Sequence, residues 1–563
     1  MLPTVATLRR GEVEGIPAFW VDGDPADLRA SLVFRAGMAD LLLPRHGWLH
    51  VLEHLALHGR TTIRRPVNGQ VTLLTTSFDV RSDADGVVDF FRGLSGWLAE
   101  PEFGDLNHES RVLRAEESGR GYSSVARHLV WRYGARGPGL AGYDEIGLNT
   151  LGADGLRALS RQAFSRGNAV LALSAPPPAG LELRLAEGQR WAAAPAVPCK
   201  QRVPAGFTDR VNGVALSGVL PRSTAATTLS RTLQRHLHAQ FREQSGMGYS
   251  AWNSYEVVDA DTAVVFAGID VLPEGRSGLV DRVVQTVQRL GRDGSDPTDF
   301  ADDIYLTVKQ MREDREGTWQ PWSAARNEAL GRPVQGRDEL VAELENLQPA
   351  DLAEAARQFY QSMLIGVDPD TRHGISVPWL STPSNPVPRE GREFTPVDHP
   401  VDRSTLVVAD NQTALTGATS RIIVDHHDVA AMLRYPDGGR CLIRKDGYQL
   451  TVEPSLWRDG PAAVASLDAA LPATVQVGLP ARNAAEIPRP RVDQRQRRRY
   501  YAEQFGHSPA GWAASFLFLL VIALVAVWAG LAKEIAPVVF VLIFTGRQTL
   551  RRHEAGVPWR FWR

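Results

Sequence analysis

Apolar positions recur along this chain with two different periods, and the switches between them mark out its elements. A period near 3.6 predicts helices over 87–98, 106–117 and 153–164, while runs of alternating or continuous β-formers predict strands over 32–35, 71–80 and 168–174. The same order returns farther on, with a strand over 211–219, a helix over 225–245, strands within 248–269 and then more helix. The pattern predicts an α+β fold made of two similar halves, 1–195 and 205–366, related by a weak internal repeat. Periodicity then stops. Seven prolines fall between Pro369 and Pro400, so 367–403 is expected to be an extended or irregular linker.

Residues 404–478 are β-rich, with turn signals at Pro436-Asp437-Gly438-Gly439 and Lys445-Asp446-Gly447 and a helix-like stretch over 462–471 to close the block. In size and order of elements this block is similar to a small pleckstrin-homology-like barrel. His426 and His427 fall on an expected strand, where neighbours face opposite ways, and so do not read as paired ligands. A basic linker, 479–508, leads to 23 residues without a charge, 510–532. At about 1.5 Å per residue they reach about 34 Å, enough to cross a bilayer core. A second apolar run, 535–545, is too short to span alone and reads as the returning arm of a hairpin or as an interfacial segment. Arginines gather on both sides, six within 489–499 and five more in and around the tail 547–563. A transmembrane segment or hairpin over 509–546 is therefore expected, with both flanks and the preceding domains on the cytoplasmic side.

Composition narrows the function without fixing it. Of 563 residues 44% are hydrophobic and 22% charged, which is ordinary for folded protein, and a formal net charge of −2 gives no electrostatic reason to expect nucleic acid as a partner. The two cysteines, Cys199 and Cys441, form no metal motif and no disulfide framework. The first residues lack the apolar run of a secretory signal.

The candidate chemistry lies in His-Gly-Trp-Leu-His-Val-Leu-Glu-His-Leu-Ala-Leu-His-Gly, 46–59, where His46, His50, His54 and His58 stand at steps of four. Side chains four apart on a helix differ by about 40° around its axis, so the first and fourth diverge by about 120° and all four cannot meet one ion. His46 is expected at the start of the helix and His58, before Gly59, at its C-terminal end, where a cation suits the helix dipole. The central pair carries an acid, His50-Val51-Leu52-Glu53-His54. Zinc takes neutral imidazole nitrogens, a catalytic site keeps one position open for water, and a carboxylate beside the ligands can accept the proton of that water. Against this stands an ordinary amphipathic helix with incidental histidines. A third ligand must come from elsewhere, and Glu109 and Glu116, seven apart, share one face of an expected helix.

These residues resemble the insulinase/pitrilysin family of inverted-motif zinc peptidases, which includes the mitochondrial processing peptidases. The resemblance covers about 5–365. It implies one zinc ion per chain held by His50, His54 and Glu116, Glu53 as the base, and Glu109 as an acid behind the ligands. It also makes 67–78 the edge strand that receives substrate, with Asn68 holding the substrate backbone, and gives Arg242 and Tyr249 the task of steadying an oxyanion. The 62 positions from His54 to Glu116 are fewer than is usual in the family, and the shortfall falls between the histidine helix and the edge strand. The function so implied is a membrane-anchored zinc endopeptidase of peptides or unfolded segments, acting as a homodimer with composite sites. The alternatives are a catalytically silent scaffold or peptide-binding subunit of the same family, or a tethered recognition protein whose work is done by 404–478.

Overall fold

In the computed structural model of the chain, residues 6–490 are described except 64, 200–201, 315, 370–376, 381–389 and 418–420, together with 498, 500–501, 517–518, 520–522 and 524–525. The first half is built on a sheet of strands β1 (Arg9–Val13), β2 (Ile16–Trp20), β3 (Leu28–Phe34), β4 (Val67–Val71), β5 (Thr76–Ser82) and β6 (Ala169–Leu173), in the order β1-β2-β6-β3-β5-β4. Strand β6, Ala-Val-Leu-Ala-Leu, is buried at every position, as a central strand covered on both faces must be. Among the described residues strand β4, Val-Asn-Gly-Gln-Val, pairs only with β5, which leaves its other edge open. Helices α1 (Trp48–Leu57), α2 (Ala84–Ala99) and α5 (Ala153–Ala163) set Leu52, Phe91 and Leu156 into one core with Leu32, Phe34 and Leu171. Helices α3 (Leu106–Gly119) and α4 (Ser124–Tyr133) complete this half.

The single strand expected over 71–80 is instead the hairpin of β4 and β5. Thr72 makes the turn: its hydroxyl donates to Thr75 O at 3.0 Å and accepts from Thr75 N–H at 3.1 Å.

The second half repeats this plan. Strands β7 (Ala205–Thr208), β8 (Gly213–Pro221), β9 (Gly248–Val257), β10 (Thr262–Val271) and β11 (Leu364–Val367) run in the order β7-β11-β8-β10-β9, so β9 occupies the edge that β4 occupies in the first sheet. Helix α6 (Thr224–His238) enters the β9–β10 hairpin just as α1 enters the β4–β5 hairpin, and α7 (Leu279–Asp293), α8 (Pro297–Glu313), α9 (Trp319–Ala329), α10 (Arg337–Asn346) and α11 (Pro349–Gln361) follow. Helix α9 crosses over. Its Ala324, Ala325 and Ala329 pack on Phe19, Val33, Val170 and Ala172, the residues of the first sheet that face away from α1.

At the seam between halves, α4 lays Arg132 and His128 against β8. Arg132 donates to Ser217 O and Oγ, His128 Nδ1 lies 2.7 Å from Ser217 Oγ, and burial holds the imidazole neutral, well below its ordinary pKa. Asp209 comes from the other half and is also buried. It accepts from Tyr122, from Ser124 Oγ at 2.6 Å and from Arg210 N–H at 2.8 Å.

The third unit differs from the expected barrel. Strands β12 (Arg392–Phe394), β13 (Thr405–Val408), β14 (Gln412–Thr416) and β15 (Arg421–Asp425) form one sheet; β16 (Val429–Arg434), β17 (Arg440–Arg444), β18 (Gln449–Val452) and β19 (Gln476–Gly478) form another, ordered β18-β17-β16-β19. The helix α12 (Gly460–Ala470) does not end it, because β19 follows and pairs in parallel with β16. Strand β12 lies within the stretch read as linker. His426 and His427 sit in a 3₁₀ turn, His426–Asp428, between β15 and β16 rather than on a strand.

The second of these sheets is buried on both faces. Met432 and Leu442 point into the unit's own core, while Ala431, Cys441, Ile443 and Val477 belong to the core of the first half. Beyond β19, Arg482 straps the chain back onto the unit by salt bridges to Asp437 at 2.7 Å and Glu453 at 2.8 Å, its guanidinium 4.1 Å from the Tyr435 ring centre.

No helix among the described residues is long and apolar enough to cross a membrane. Of the expected spanning segment, 517–518, 520–522 and 524–525 are described; they are helical and their apolar side chains are exposed. The rest of it and the run 535–545 lie outside the described residues.

Burial pushes the Asp209 carboxyl up to about 6 from an ordinary 3.8, against the pull of the Arg210 N–H. A raised acid binds its proton more tightly folded than unfolded, so its contribution to stability is full below pH 3.8 and is lost as pH rises through about 6. At about 1.4 kcal/mol per pH unit the whole effect is about 3 kcal/mol. Asp209→Asn is expected to stabilise the protein at pH 8 by up to that amount and to change little near pH 4, measured as urea midpoints across the pH range.

Candidate metal centre

Helix α1 begins after Gly47, whose φ of 97° and whose closeness to Glu145 both require the absence of a side chain: a Cβ there would lie 2.8 Å from Glu145 Cβ. The helix ends at His58, followed by Gly59 at φ 67°. His46 lies outside it, buried, with its Nε2 at 3.2 Å from Tyr143 O. The apolar face of α1 (Leu49, Val51, Leu52, Leu55) goes into the core, which leaves His50 and His54 partly exposed with their rings 4.9 Å apart.

Glu53 is buried between them, its Oε2 at 3.9 Å from His50 Nε2 and 3.8 Å from His54 Nε2. Ligand atoms of His50, Glu53 and His54 all lie within 4.8 Å of one another. The room for Glu53 comes from β4, because a Cβ on Gly69 would fall 1.8 Å from its Oε1. Removal from water raises the Glu53 pKa despite the two imidazoles beside it.

The other ring nitrogens are held from behind. His50 Nδ1 lies 3.0 Å from Glu145 Oε1, and His54 Nδ1 lies 3.2 Å from Glu109 Oε2, whose other oxygen meets His58 Nδ1 at 2.7 Å. Burial alone would raise both acids, yet the histidine bonds outweigh it: Glu109 is lowered, and Glu145 is lowered to about 2 with Arg120 also contributing. Ionised carboxylates only accept, so each Nδ1 carries a proton and Nε2 is the nitrogen left to offer a lone pair, although, against burial, Glu145 raises the His50 pKa. Both Nε2 atoms then face the space beside Glu53. Glu116 reaches the same space from α3, its Oε2 at 3.7 Å from His54 Nε2.

Two imidazole lone pairs, oriented by carboxylates and joined by a reachable third carboxylate, form a donor set that fits zinc.

Glu145 gave no signal in the sequence. It precedes the 3₁₀ turn Ile146–Asn149, and its segment is fixed at both ends. Gly147 N–H donates to His46 O and Trp48 Nε1–H to Gly147 O, both at 3.0 Å, while Ala135 N–H donates to Lys445 O of the third unit at 3.0 Å. Gly134 lies so close to that turn that a Cβ would sit 2.1 Å from Lys445 O. Arg120 completes the set, its Nη2 at 3.1 Å from Glu145 Oε1.

A cavity of about 260 Å³ opens beside these groups, lined by His50, Glu53, Glu145 and Arg120 and by Gly69, Gln70 and Val71 of β4. The remaining expected site residues lie elsewhere. Asn68 neighbours Gly69 but points the other way, into a second cavity with Trp319 and Trp322. Arg242 lies in the π-helical turn Ala239–Glu243 after α6 and donates to Tyr249 O at 3.2 Å; Tyr249 is the second residue of β9 and is 76% exposed. Neither lines the cavity.

No family model matches the sequence, and no curated protein matches it. Solved structures with a similar fold include a protease from Helicobacter pylori, with a TM-score of 0.54 and 11% identity, covering 64% of this chain and 99% of that one. A peptidase M16 inactive domain from Pseudomonas fluorescens has a TM-score of 0.53 at 14% identity, covering 64% and 97%. The first half of the periplasmic protease PqqL from Escherichia coli has a TM-score of 0.52 at 14% identity, covering 66% and 94%. At such identities the likeness is one of fold, and the fold is that of insulinase-like peptidase halves.

If Glu145 sets the His50 tautomer, Glu145→Gln should weaken zinc binding about 10- to 100-fold. Competition with a chelating dye measures it, and an unchanged affinity would remove Glu145 from the centre.

Proposed function

We propose that this chain is a zinc-dependent endopeptidase of peptides or unfolded protein segments. The observation that carries the reading is the buried Glu53 carboxylate set between two imidazoles whose Nδ1 atoms are each held by an acid. His50, His54 and Glu116 would hold the ion, with Glu109 and Glu145 fixing the rings. Zinc bound there supplies a Lewis acid that makes water acidic enough to be deprotonated near neutral pH. Glu53 takes that proton and passes it to the leaving amine, a task suited to a carboxylate whose pKa burial has raised. The open edge of β4 accepts an extended peptide by main-chain pairing, which brings a scissile bond alongside Glu53.

Arg242 and Tyr249 lie outside the cavity lining and are carried at an exposed edge, which supports a homodimer in which they serve the partner's site. Residues 510–532 anchor the enzyme to a membrane, with the catalytic halves on the cytoplasmic side; the charge-free run and the exposed apolar side chains at 517–518, 520–522 and 524–525 support this. One structural neighbour is described as an inactive domain, so a silent scaffold is the second reading.

One comparison separates the two. Glu53→Gln is expected to retain stoichiometric zinc and to lose cleavage of an unfolded-protein or peptide-library substrate by about 100-fold or more. Equal products from wild type and variant would leave the scaffold standing.

A further inference from the structure

We propose that Arg120 makes the cavity beside the metal centre a subsite for a carboxylate of the substrate, an assignment that rests on the peptidase reading and adds a preference to it. The cavity adjoins β4 on the face of Gly69 and Val71, the side of the strand that looks toward α1. A peptide paired with the edge of β4 turns alternate side chains to that same face, so one of them enters the cavity. At about 260 Å³ the space holds a single side chain. Leu41 and Leu49 give it apolar walls suited to a methylene stem.

Its charges are uneven. Arg120 is the one arginine or lysine lining it among the described residues, and the lining also includes the acids Glu53 and Glu145. The Arg120 side chain is half-exposed, and its polar contacts among the described residues all run through Nη2, to Glu145 Oε1 at 3.1 Å and beside His50 Nδ1 at 3.5 Å. Among the described residues no hydrogen bond or ion pair uses Nε or Nη1. Glu145 therefore anchors one nitrogen of the fork and leaves the rest to donate toward a ligand. A guanidinium so tethered suits a carboxylate, which it can meet with two parallel hydrogen bonds, and it offers nothing to a cationic side chain.

The test uses the full-length zinc-loaded protein and matched peptides carrying Glu, Gln or Lys at each position around the cleaved bond. A second set ends at the favoured position, with either a free carboxylate or an amide. Wild type is expected to prefer Glu over Gln at one position by about tenfold in kcat/KM, the scale of one charge-assisted pair. Arg120→Gln should abolish the preference, Arg120→Glu shift it toward Lys, and Arg120→Lys restore part of it. A preference that follows the free terminus over its amide, without one for Glu over Gln, identifies the same carboxylate chemistry with the peptide end as its source. Equal cleavage of acid and amide peptides by wild type, with Glu53→Gln inactive, overturns the subsite and leaves the peptidase reading intact. A uniform loss on all peptides in Arg120→Gln and Arg120→Lys also overturns it, making Arg120 only a support for Glu145. If wild type cleaves nothing that Glu53→Gln does not, the peptidase reading fails and the subsite falls with it.

Discussion

The structure of the candidate centre depends on two hydrogen bonds made behind it, from His50 Nδ1 to Glu145 and from His54 Nδ1 to Glu109. An imidazole can turn over and can carry its proton on either nitrogen. An ionised acid behind each ring removes both freedoms at once. The rest of the site assumes that choice: Glu53 is useful only if the Nε2 atoms face it, and Glu116 can join them only from the side its helix already occupies. The two acids come from different places. Glu109 rides on α3 and reaches its partner within the first half, whereas Glu145 hangs on a loop stretched between the start of α1 and a turn of the third unit.

This explains what could be read in advance. The helix with His50, Glu53 and His54 was legible because its spacing is local; the seven-residue step from Glu109 to Glu116 is equally local, but only the family resemblance gave it a role. Glu145 stands 95 positions from His50 in a stretch with no period, so nothing local announced it. The buried strand β6 showed as a continuous apolar run, whereas β3 showed only at its apolar end, Leu32–Phe34, because Arg29 and Ser31 interrupt its first part. The β4–β5 hairpin read as one strand because its turn holds Leu73 and Leu74 rather than glycine or proline, and a threonine hydroxyl does the turning. The histidines at 426 and 427 looked strand-like for want of any break before them. The second sheet of the third unit is buried on one face in the unit's own core and on the other against the first half, which no strand reveals about itself.

The repeat of plan between halves also gives their differences meaning. Helix α1 with the β4 edge and α6 with the β9 edge occupy matching places, yet the first pair carries the imidazoles and acids and the second carries Arg242 and Tyr249. One arrangement of backbone thus presents two chemistries, and an exposed edge strand adjoins each.

Helix α9 leaves the second half to roof the back of the first sheet, and β17 of the third unit completes that half's front. Neither neighbour is an attachment that could be traded for another. A gene cut between the halves would yield a first fragment with Phe19, Val33 and Val170 bare to water, and recombination that swapped the C-terminal unit would unseat the loop beneath His50. The three parts are therefore coupled through shared cores, so a substitution at either contact is felt on both sides of it.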